Sequence, residues 1–97
     1  MNVDEISKEV RGRKEKALKM LKELGIDVPD KFRSYYGLIL YVNTLITASV
    51  MIASAIKEII NKCASRDSLM AEILKDQYRE YIKRADKLYE IMRVLSF

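Results

Sequence analysis

Between Arg33 and Lys57 the chain carries no charged residue. A run of that length either crosses a bilayer, which takes roughly 20 apolar residues, or forms a long helix that other helices must cover. Two features favour the covered helix. Asn43, Thr47, Ser54, Glu58 and Asn61 fall on one side at helical spacing, a narrow stripe suited to water. The basic residues are split evenly, nine before the run and nine after, so no positive-inside bias sets a membrane topology. A soluble core helix is the expectation, and a single membrane span is the alternative.

Breaks elsewhere define the remaining elements. With three glycines and one proline in 97 residues, the chain has few places to turn, which favours a few long helices in one domain. A first helix is expected over about 4–24, with Val3, Ile6, Val10, Ala17, Leu21 and Leu24 forming an apolar stripe interrupted at Arg13. Asp4, Glu5 and Glu9 near its start and Lys19 and Lys22 near its end match the helix dipole. Gly25 supplies a left-handed stop, Ile26 can fold back on the last turn, and Pro29 follows. The second helix is expected over about 32–62 and the third over about 67–95, capped by Ser65 or Asp67. Leu74, Tyr78, Tyr81, Ala85, Leu88, Met92 and Leu95 on the third alternate in steps of four and three, a packing seam.

These elements make an all-α, antiparallel three-helix bundle with a long apolar central helix. Leu38, Ile39, Val42, Leu45, Ile46, Ile52 and Ile56 spread round so much of that helix that two amphipathic neighbours cannot cover it. A second copy is therefore expected to complete the burial, with those seven residues as the oligomer interface, or else an obligate protein partner.

Catalytic chemistry finds little support. The chain has no histidine, the commonest acid–base group and metal ligand. Its one cysteine, Cys63, can form no internal disulfide, which suits a reducing, cytoplasmic setting, and it reads as a half-buried residue near a helix end. No glycine-rich phosphate loop is present. The carboxylate pairs Glu5 and Glu9, Glu72 and Asp76, and Asp86 and Glu90 read as surface charge. No enzyme activity, cofactor or metal is expected. Met1 leads directly into a charged segment, so no signal peptide is expected either.

Two sets of residues point to partners. Lys8, Arg11, Arg13, Lys14, Lys16, Lys19 and Lys22 concentrate positive charge on the first helix and could neutralise phosphates of a nucleic acid. No aromatic residue is interleaved with them to stack on bases. The six tyrosines offer contact area with a polar tip. On the third helix, Glu80-Tyr81-Ile82-Lys83-Arg84-Ala85-Asp86-Lys87-Leu88 resembles the last helix of MIT (microtubule-interacting and trafficking) domains. That resemblance implies a three-helix bundle that takes short peptides in grooves between its helices. It covers only this run; the second helix is longer and more apolar than that family's, and the break from Gly25 to Pro29 differs from its short link. Tyr78, Tyr81, Arg84 and Tyr89 are the partner-binding candidates. The expected function is a non-catalytic protein–protein interaction module or small accessory subunit, with a basic nucleic-acid accessory protein as the alternative.

Overall fold

The computed structural model describes residues 2–63 and 68–97. The chain folds into three long helices, α1 (Val3–Glu23), α2 (Tyr35–Cys63) and α3 (Ser68–Leu95), with a 3-10 turn at Asp30–Phe32 ahead of α2. The expected cap at Ser65 or Asp67 and the side-chain surroundings of Cys63 lie outside the described residues.

Each helix boundary has a local cause. The Asn2 side chain accepts a hydrogen bond from the Glu5 amide at 2.9 Å, capping α1, whose first turn carries Asp4 and Glu5. At the other end Gly25 adopts φ 76°, the Ile26 amide donates to the Leu21 carbonyl at 3.0 Å, and the Gly25 amide donates to Lys22 at 2.9 Å. This is a Schellman stop, and Ile26 folds back into the core as such a stop favours. The second helix begins later than expected. Ser34 caps it, its hydroxyl accepting from the Gly37 amide at 3.0 Å, so residues 30–32 form their own short turn rather than the first turn of α2. Phe32 from that turn packs on Tyr41, ring centroids 5.3 Å apart.

α1 and α2 both run antiparallel to α3. Arg13, midway along α1, lies beside Val94 and Ser96 while Leu24 reaches Glu80 and Tyr81; Tyr35, at the start of α2, lies beside Leu95 while Ile56 reaches those same residues. α1 and α2 therefore point the same way, because the connection from Leu24 to Ser34 runs back along the bundle as an extended strap. Ile26 and Val28 on that strap are buried. They join Ala17 and Leu21 of α1, Leu38, Val42 and Ile46 of α2, and Leu88, Ile91 and Leu95 of α3 in one core.

That core occupies only one end of the molecule. The extents are 62 × 22 × 18 Å and the radius of gyration is 17.4 Å, against about 12–13 Å for a compact domain of this length. α1 overlaps the near half of the α2–α3 hairpin, and its own first turns extend past it, leaving Val3 and Ile6 exposed. Farther along, the hairpin is two helices thick. Small residues, Ser49 and Ala53 on α2 and Ala71 on α3, are buried there.

Gly37 sits where this packing is tightest. A Cβ at that position would lie 2.9 Å from the Phe32 Cα. Alanine is the better helix former by about 1 kcal/mol, but the contact is with backbone and cannot swing aside. Gly37→Ala is expected to lower the unfolding free energy by about 1–3 kcal/mol in urea titrations. An unchanged midpoint would show that the 3-10 turn yields freely.

Candidate functional site

The uncharged run forms a helix of 29 residues with mean hydropathy 1.9 over its most apolar stretch, yet only 28% of that stretch is buried. α3 and the strap cover one side. The opposite side presents Tyr36, Leu40, Thr44, Thr47, Met51 and Ser54, all exposed. Tyr36 and Met51 are the most open of these, at 70% and 66%. The threonine hydroxyls on this side are already engaged: Thr44 donates to the Leu40 carbonyl at 2.8 Å and Thr47 to that of Asn43 at 3.0 Å. The polar stripe expected from sequence, Asn43, Thr47, Ser54, Glu58 and Asn61, is exposed as expected.

The residues expected to form the oligomer interface do not lie there. Leu38, Val42, Ile46 and Ile56 are buried within the chain itself, and Ile39 and Leu45 are half-buried. Of the seven, Ile52 alone is exposed, at 41%. The correction has a simple cause. α2 is apolar nearly all round, so its most aliphatic face is the one its own neighbours take, and a weaker face is left outward.

Beyond Leu24, where α1 stops, the α2–α3 hairpin keeps an open groove of about 730 Å³. Its apolar floor is Ile52 and Ile56, and its far wall carries Glu80, Tyr81, Arg84 and Lys87 from the run that resembles MIT domains. Of the four partner-binding candidates, Tyr81 and Arg84 line this groove. Tyr78 and Tyr89 do not: they sit elsewhere on α3, half-buried and 47% exposed respectively.

The seven basic candidates on α1 separate in the same way. Lys8, Arg11, Lys16, Lys19 and Lys22 are exposed and Lys14 is half-buried. None of these six takes part in an ion pair among the described residues. Arg13 belongs to the fold instead. Its guanidinium donates to the carbonyls of Val94 at 3.0 Å and Ser96 at 2.6 Å, pairs with Glu9 at 2.8 Å, and lies 4.6 Å from the centre of the Phe97 ring. The Tyr35 hydroxyl donates to the Leu95 carbonyl, and its ring meets Phe97 edge-on. Arg13 and Tyr35 thus close the end of α3, where carbonyls have no helical partner and a cation is favoured. The break in the apolar stripe of α1 is this clasp.

The carboxylates are dispersed. Glu9 pairs with Arg13, Glu72 with Lys75, Asp76 with Arg79, and Glu90 with Lys87. No group of three His, Cys, Asp or Glu converges among the described residues. Compared with known proteins, the chain matches no family model, no curated protein and no solved structure.

Removing the clasp leaves carbonyls at a helix end without a charged donor. Arg13→Gln is expected to cost about 1.5–3 kcal/mol, nearer the lower figure because the Arg13 side chain is 29% exposed. Glu9→Gln should cost under about 1 kcal/mol. Urea unfolding of the two variants checks the ranking; equal losses would mean that the ion pair, not the carbonyl contacts, carries the effect.

Proposed function

We propose that this chain is a non-catalytic helical interaction module whose working surface is the exposed, uncharged face of α2. The observation that carries this reading is the mismatch on one helix: it has the hydropathy of a bilayer span and is left mostly uncovered by its own fold. Exposed apolar patches on aqueous proteins, when large and contiguous, mark binding surfaces. The groove beyond Leu24 adds a second concave surface, and the wall supplied by Tyr81 and Arg84 supports a peptide-docking role for the MIT-like run.

The packing of α3 supports an aqueous setting over a membrane one. α3 lies along α2, and it carries Lys75, Asp76, Arg79, Glu80, Lys83, Arg84, Asp86, Lys87 and Glu90. A spanning α2 would draw these charges into the hydrocarbon, at about 2.5–3.5 kcal/mol or more for each one near the centre, or would have to leave α3.

A second reading rests on the six basic side chains of α1 that take part in no ion pair among the described residues. They spread round much of that helix, with the half-buried Lys14 bordering its apolar stripe, and form a surface suited to phosphates. It would make this chain a nucleic-acid accessory protein, with Arg13 excluded from the contact.

Vesicle flotation and fluorescence anisotropy separate the readings. The module is expected to stay in solution without detergent, to leave lipid vesicles unbound, and to show no DNA or RNA binding at near-physiological salt. Leu40→Lys with Met51→Lys should keep the helix content and unfolding midpoint, since both positions are exposed, while abolishing association with protein. Stable insertion into vesicles contradicts the proposal. Salt-resistant nucleic-acid binding lost on neutralising Lys8, Arg11, Lys14 and Lys16 would move the second reading to first place.

A further inference from the structure

We draw no further inference here: the strongest candidate, the open groove between α2 and α3 beyond Leu24, has an apolar floor of Ile52 and Ile56 under a rim that carries Asp76 and Glu80 as well as Lys83 and Arg84, so its charge selects no occupant and nothing in the structure shows what covers it.

Discussion

The pairing of α2 with α3 constrains everything else in this molecule. α2 has no charge between Arg33 and Lys57 and therefore needs cover, while α3 has only one apolar face to offer. The hairpin buries Leu38, Val42, Ile46, Ala53 and Ile56 on the side that α3 and α1 reach. It cannot bury the rest. α1 contributes only over its second half, because the clasp from Arg13 to the carbonyls of Val94 and Ser96 fixes where α1 overlaps α3. The exposed α2 face, the groove past Leu24 and the elongated shape all follow from those two contacts.

The sequence disclosed the elements more readily than their arrangement. Helix number and the stop at Gly25 were legible because their causes are local: periodic apolar residues, a glycine free to take positive φ, and a following isoleucine that folds back. The 3-10 turn at Asp30–Phe32 was less visible. It depends on Ser34 taking the capping role and on Gly37 admitting the backbone of Phe32, and either of those could equally sit inside a helix. The alternation of Ile26 and Val28 did carry a signal for the extended strap, since two buried residues two apart fit an extended segment and not a helix.

The candidate site was harder to read for a physical reason. Periodicity shows which face of a helix is apolar only when another face is not. On α2 the contrast is weak, so periodicity points to the most aliphatic side as the interface, whereas Leu38, Val42 and Ile46 serve the chain's own core. The outward face carries Thr44 and Thr47, whose hydroxyls bond within their own helix. Arg13 posed the opposite difficulty. Its charge grouped it with its lysine neighbours, but its role is set by partners 81 and 83 positions away, and no local pattern reports such a contact. Pairing divides the basic set: among the described residues, Lys8, Arg11, Lys14, Lys16, Lys19 and Lys22 take part in no ion pair.

The central claim is that the outward face of α2 is covered by protein, not by lipid or water. A nitroxide attached at Met51→Cys, in a Cys63→Ser background, measures this through its accessibility to oxygen and to a water-soluble nickel complex. Protein cover predicts low accessibility to both and a strongly immobilised spectrum. High oxygen accessibility with exclusion of nickel in the presence of vesicles would place the face in a bilayer and contradict the account. A mobile label open to nickel would leave the face bare, and would contradict it as well.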